Sequence, residues 1–285
     1  MRKGPNLEND VTTGGSPARL NLSQLLGEVG TTSKAVGAAE RLVRQHPTAF
    51  EARWQLFQWL CIVGAWTRSL GLLQVATQLK PDFANRAHLY RELVRSEVFR
   101  SEVFEGKREP GALMPMPDWL GRLREAATLS GAGDVCGADR IRNLALTEAP
   151  MSVGDHDGTS FAWMTDSDTR LGPTCELVSA GRYTWLPFSQ VRKLAMPPVE
   201  ELLDLIWRPV TATLMDDTVV HGFVPVRYPG SEHGSDEIRL SRQTQWLELG
   251  DTGVFGRGQK TWMTNKGDIG LLDVDTLSFT GENRD

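Results

Sequence analysis

The stretch "FEARWQLFQWLCIVGAWTRSLGLLQVATQLKP", Phe50 to Pro81, decides the reading of the first half of the chain. Its apolar residues recur three and four apart: Leu56, Phe57, Leu60 and Val63, then Leu70, Leu72, Leu73, Val75, Ala76 and Leu79. That spacing places them on one face of a helix. Gly64 stops the first run, Trp66 takes the aromatic place after the turn, and Ala76 is the small residue where two helices cross, so the stretch reads as a helical hairpin.

Outward from it, Pro47, Pro81 and Pro115 recur at 34 residues, the tetratricopeptide period. The preceding unit echoes the pattern with Leu22, Gly30, Ala35 and Pro47. The following unit fits at Tyr90 and Val94 but has Val98 where a turn glycine belongs, so "ANRAHLYRELVRSEVFRSEVF" reads as one longer helix. Stacked hairpins bury one face each and leave a concave side. In this register that side carries Gln24, then Trp54, Gln58 and Cys61, then His88, Glu92 and Arg95, a groove for an extended peptide or a helix. Trp54 and Trp59 are either anchors for an apolar helix face or fillers of the repeat interior.

With 285 residues, 40% of them hydrophobic, the chain has room for two ordinary cores. Residues 1–150 hold 19 Lys and Arg against 16 Asp and Glu, near +3; residues 151–285 hold 12 against 20, near −8, which together give the net −5. The acidic half would repel a phosphate backbone and the first half has no dense basic stripe, so nucleic acid is not an expected partner. Cys61, Cys136 and Cys175 fit neither a disulfide framework nor a zinc knuckle. Residues 1–18 read as a disordered leader without the apolar run of a signal peptide, no stretch is long and apolar enough for a membrane span, and the expected compartment is the cytoplasm.

After the polar linker 150–158 the texture changes to short apolar runs cut by Asp, Gly and Pro: "FAWMTDSDTRLGPTCELV", "GRYTWLPF", "GFVPVRYPG", "TGVFGRGQKTWMT" and "IGLLDVDTLSF". These read as strands. "PPVEELLDLIWRP" reads as one short helix between Pro198 and Pro209, with Leu202, Leu205 and Ile206 inward. The fold class is therefore a multidomain α+β protein, with a tetratricopeptide-like helical domain over 19–149 and a strand-rich mixed domain over 159–285.

In "DSDTR", Asp166, Asp168 and Arg170 would share one face of an extended segment. Two such carboxylates could divide acid and base roles or hold a divalent cation, and with Glu232 and His233 they outline a metal-dependent hydrolase; the alternative is an acidic turn closed by an arginine. Ser231 in "YPGSEHG" lacks the G-x-S-x-G frame of a nucleophile, and "GRGQK" lacks the length and ending of a phosphate loop. Arg227, in the turn "VRYPGSE", is expected to pair Asp166, Asp168 or Glu232 and to hold a structural corner rather than form a docking surface.

Four strings in one order, "FAWMTDSDTRLGPTCELVSAGRYTWLPF", "PPVEELLDLIWRPV", "GFVPVRYPGSEHGSDEIRLSRQTQW" and "GRGQKTWMTN", together with "SEVFRSEVFEGKREP", resemble the ImpE/SciE family, also called TagJ, an accessory component of bacterial type VI secretion systems. The resemblance spans nearly the whole chain after the leader. It implies a tetratricopeptide-like domain joined to an α+β domain, no enzymatic reaction, no cofactor and no metal. It also implies that the partner is the N-terminal helix of the small sheath subunit (TssB/VipA), with a role near sheath assembly or ATPase-driven recycling; self-association is a second expected contact. The motif positions carried over are Asp166, Asp168, Arg170, Gly172, Pro173 and Glu176, then Tyr183, Trp185 and Pro187, then Asp204 and Trp207, and finally Pro225, Arg227, Tyr228, Gly230, Ser231 and Glu232, all without a catalytic assignment. The chain departs from the family pattern at Lys260, where Gly-Gln-Arg is usual, and at Asp275, near a common arginine. A lysine lacks the planar fork of an arginine, which weakens a bidentate carboxylate contact.

Overall fold

The computed structural model describes residues 30–280. The leader expected over 1–18, and Leu22 and Gln24 of the first repeat, lie outside these residues. Helices α1 (Thr32–Gln45), α2 (Phe50–Ile62), α3 (Trp66–Leu79), α4 (Ala84–Phe104), α5 (Asp118–Gly131) and α6 (Val135–Glu148) account for the first half. Thr31 caps α1 by accepting a hydrogen bond from Lys34 N at 3.2 Å, and Asp134 caps α6 by accepting one from Gly137 N at 2.9 Å.

The Phe50–Pro81 hairpin forms as its spacing predicts. Gly64 closes α2 at φ +69°, a left-handed conformation, with Gly64 N donating to Cys61 O at 3.1 Å and Ala65 N to Leu60 O at 2.8 Å. A Cβ on Gly64 would stand 2.5 Å from the Glu232 Cβ, so this turn is also a close approach of the helices to the second half. The run around Val98 is one 21-residue helix, α4.

The second half is built on an antiparallel sheet of eight strands. Its members are β1 (Gly154–His156), β2 (Thr159–Phe161), β4 (Thr174–Ser179), β5 (Arg182–Pro187), β6 (Val191–Ala195), β7 (Trp207–Leu214), β8 (Val219–Pro225) and β13 (Thr276–Phe279), in the order β2-β1-β13-β6-β7-β8-β4-β5. Strands β3 (Met164–Asp166), β11 (Thr261–Thr264) and β12 (Gly267–Gly270) make a smaller sheet, and β9 (Thr244–Leu249) with β10 (Gly253–Gly258) make a two-stranded ribbon. A one-turn helix, α7 (Asp236–Arg239), precedes the ribbon. The architecture is mixed α+β; strand β1 falls within the stretch read as linker.

The helix expected between Pro198 and Pro209 is corrected. Only Leu202–Leu205 turn, as a 3-10 helix with a capping box between Glu201 and Asp204, and Trp207, Arg208 and Pro209 are drawn into β7, where they pair with Pro225, Val224 and Phe223 of β8. The ladder supplies backbone bonds that four residues of helix cannot match.

Burial explains why the halves stay together. The core under the helices, including Leu56, Phe57, Leu60, Leu73, Leu93 and Val94, continues through Leu202, Leu203, Leu205 and Ile206 into Trp185, Trp207 and Tyr228. A second core, with Leu177, Leu186, Phe188, Leu194, Val224 and Trp262, fills the sheet. Truncating any one of these large side chains to alanine costs about 2–5 kcal/mol.

Candidate functional site

Where α4 crosses the sheet, four charges alternate in the interior. Arg100, on the buried face of α4, grips Glu176 of β4 with both arms, Nε to Oε1 at 2.5 Å and Nη2 to Oε2 at 2.9 Å. Lys260 Nζ lies 2.5 Å from Glu176 Oε2, the oxygen that Arg100 Nη2 also meets, and 3.2 Å from Asp166 Oδ2. All four side chains are at most 2% exposed. The hydroxyls of Tyr183 and Tyr228 donate to Glu176 Oε1 at 2.6 Å and to Asp166 Oδ1 at 2.7 Å, and Trp185 Nε1 donates to the Tyr183 hydroxyl at 2.7 Å. Buried charges persist only when paired and hydrogen-bonded in this way.

Their protonation follows from these contacts. Burial works to raise the Glu176 carboxyl, but Arg100 and Lys260 overcome it and hold the group at about 2. Burial dominates at Asp166, which is pushed up to about 6 despite Lys260, with Asp168 adding to the rise. Burial would depress the Arg100 guanidinium, and Glu176 and Glu97 more than reverse this. The Tyr228 hydroxyl is driven far above its ordinary value by burial and then by Asp166 and Asp168.

Asp166, Asp168 and Arg170 do not share an extended face, because β3 ends at Asp166 and the chain turns. Asp166 Oδ1 accepts from Asp168 N at 2.9 Å, and Asp168 accepts from Arg170 N and Nε at 3.0 and 2.8 Å, from the Arg170 fork, and from Gly256 N at 2.9 Å. Glu232 stands elsewhere, against the Gly64 turn, and His233 projects into solvent. Glu232 and His233 of the hydrolase reading are therefore not brought to the Asp166–Asp168 turn, and among the described residues no group of three His, Cys, Asp or Glu could hold a metal ion. Ser231 is fully buried, donating to Tyr228 O at 2.5 Å and accepting from Gly258 N at 2.8 Å.

Arg227 holds a corner with partners other than those expected. Its guanidinium donates to the carbonyls of Ile62 at 2.8 Å, Arg239 at 2.6 Å and Cys61 at 3.5 Å, tying the C-terminal end of α2 to α7. A helix end has unpaired carbonyls and a partial negative charge, both of which a guanidinium satisfies. Burial lowers the Arg227 pKa, opposed by Glu97 and Glu232. Of the remaining motif positions, Trp207 Nε1 donates to Glu97 Oε1 at 2.9 Å, and Arg170 lies over the Phe104 and Phe255 rings at 4.6 and 4.5 Å. At the two expected departures, Lys260 stands as one point charge between the Asp166 and Glu176 carboxylates, and Asp275 meets Arg208 at 3.2 Å.

The groove residues divide. Cys61 is fully buried beneath Arg227 and does not line a groove. Trp54 is enclosed by aromatic rings, stacked on Phe57 at 5.1 Å and edged by Phe83 and Tyr90, with Arg86 over its face at 5.0 Å. Gln58 is half-buried and His88 exposed. Glu92 and Arg95, paired at 2.8 Å, lie along an open trough between α4 and the β4–β5 turn. Two hollows of about 420 and 590 Å³ meet at Glu92 and Gly181. Leu89, Leu93, Ser96 and Phe99 line the α4 wall, and Val178, Phe223, Pro110 and Gly111 line the other.

Sequence reasoning passed over Arg100 and Glu97. The available signal was an arginine in the apolar stripe of α4, in step with Leu93, Ser96 and Val103.

A helical module is thus keyed onto a strand-rich one by buried ion pairs, with an open trough at the seam. The profile of the family described as ImpE protein matches residues 158–278. The chain is 34% identical over 259 residues to the type VI secretion system accessory component TagJ of Pseudomonas aeruginosa, covering 90% of this chain and 91% of that one. It belongs to the ImpE (TagJ) family. A crystal structure of a Vibrio parahaemolyticus protein shares the fold, with a TM-score of 0.84 and 23% identity over 92% of this chain and 99% of that one.

Proposed function

We propose that this protein is a non-catalytic adaptor of a bacterial type VI secretion system, working in the cytoplasm, where its tetratricopeptide-like helices dock the N-terminal helix of the small sheath subunit (TssB/VipA) and tune sheath assembly or recycling. The relative named as an accessory component of that system supports the setting. The observation that carries the docking reading is the trough along α4. Leu89, Leu93, Ser96 and Phe99 follow one another three or four residues apart, the stripe one helix presents to another, with Glu92 beside Leu93. From Leu89 to Phe99 the stripe is about 15 Å long, enough for roughly three turns of a second helix. Glu92 and Arg95 stand mid-trough as a charge pair able to set the direction of an incoming helix. Trp54 acts behind this surface, filling the wall that supports α4.

Calorimetric titration of the full chain with a synthetic sheath-subunit N-terminal helix tests this. Leu89→Glu and Arg95→Glu, both at exposed positions, should each weaken binding at least about tenfold while leaving the melting temperature unchanged. Wild-type affinity in both variants places the helix elsewhere and ends the trough reading.

A further inference from the structure

Among the described residues, the β9–β10 ribbon is open on one side only. Strand β10 has its outer edge occupied: Thr169 N donates to Val254 O at 3.0 Å, Val254 N to Thr169 Oγ1 at 2.9 Å, Gly256 N to Asp168 Oδ2 at 2.9 Å and Gly258 N to Ser231 Oγ at 2.8 Å. The other edge, β9, pairs with β10 and with no further strand among the described residues. Gln259 N donates to Gln243 O at 3.2 Å, and the register carries on without interruption to Leu249 opposite Gly253. The alternation of antiparallel bonding then turns the N–H and C=O groups of Thr244, Trp246 and Glu248 away from β10.

Nothing on β9 protects that edge. It has no proline, no lysine and no bulge, it carries one charge, Glu248, and Trp246, Leu247 and Leu249 are 44%, 58% and 37% exposed. An edge of this kind is a template for another strand.

The geometry points to a second copy of this chain as the occupant: β9 pairs antiparallel with β9 of the other copy across a two-fold axis at Trp246, giving a continuous sheet β10-β9-β9-β10. A two-fold axis normal to a sheet keeps each side-chain face on its own side, so facing residues must both be odd or both be even. Centred on Trp246, the pairing sets Thr244 against Glu248 and Gln245 against Leu247, and every outward N–H and C=O finds a partner. The lone carboxylate meets a hydroxyl. Centred on Glu248 it would oppose two carboxylates, and centred on Leu247 or Thr244 it would use fewer of the outward groups. Such a dimer would present two α4 troughs in one particle, but the pairing itself does not depend on what those troughs bind.

Sedimentation velocity on the full chain over a roughly hundredfold range of concentration should show a dimer that dissociates on dilution. Glu248→Pro removes an N–H that points to the open edge and spares the β9–β10 bonds, so it should abolish the dimer while leaving the circular dichroism spectrum unchanged. As a second arm, Trp246→Cys with Cys136→Ser should cross-link to itself on mild oxidation, because facing Cα atoms in such a pair lie about 5.5 Å apart, whereas Asp251→Cys in the turn should not. A wild type that stays monomeric, including one whose edge accepts a strand from another protein, overturns the proposal. So does a dimer that survives a folded Glu248→Pro, or the absence of a cross-link at 246.

Discussion

Arg100→Met tests whether the buried ion cluster fastens helices to sheet. The change keeps an apolar stem of similar length and removes a guanidinium that makes two bonds to Glu176, one to Arg227 O at 2.8 Å and a longer one to Glu97 at 3.3 Å. Glu176, itself without exposure, is left with Lys260 and Tyr183. Stripping one partner from a buried pair costs about 3–5 kcal/mol. The carboxyl gives a second measure: held at about 2 against an ordinary 4.5, it reports about 3 kcal/mol of net preference for the charged form, left after Arg100 and Lys260 have offset the burial cost. A loss of about 3–5 kcal/mol should lower Tm by roughly 5–8 °C in a protein of this size. The pH dependence has a fixed sign. A depressed carboxyl contributes stability that is present above its unfolded value and lost as pH falls through the folded one, so the gap between wild type and variant should narrow between about pH 4.5 and pH 2. Thermal melts followed by circular dichroism across that range measure both quantities. A variant melting within about 2 °C of wild type at neutral pH, or a gap indifferent to acid, would refute the account.

Asp166 titrates in the opposite sense. Raised to about 6, it withholds stability at neutral pH and restores it as pH falls from about 6 toward 3.8, so wild type should gain up to about 3 kcal/mol over that window while Asp166→Asn, compared in urea melts, stays flat; a parallel profile would remove Asp166 as the cause. Arg227→Ala leaves the carbonyls of Ile62 and Arg239 without their donor and should cost about 2–4 kcal/mol by the same melts while changing sheath-helix affinity less than about twofold; unaltered stability with lost binding would make the corner a docking surface.

What could be read from the chain follows the range of the interactions involved. The α2–α3 hairpin was legible because its determinants, the apolar spacing and Gly64, lie within one stretch of residues. Leu202–Pro209 was not, because its helical look is local and its strand pairing with Val224 and Pro225 arrives from farther along the chain. The strand-rich texture of the second half was visible, yet the acidic pair in it looked like chemistry until Lys260, 94 residues from Asp166, accounted for the carboxylate. Arg100 is separated from Glu176 by 76 residues, and no spacing rule joins them. An arginine interrupting an apolar helical stripe does announce a buried partner, though not which one. That interruption also bears on why the seam is ionic at all, since well-packed apolar residues of similar volume often hold as firmly. Apolar surfaces tolerate sliding, whereas a guanidinium fork meets both oxygens of Glu176 in one placement of α4 on β4. The α4 trough has one wall on the helix and the other on the β4–β5 turn, so its width depends on that placement. A cluster that fixes register between two modules is therefore where a binding surface shared by both would be set.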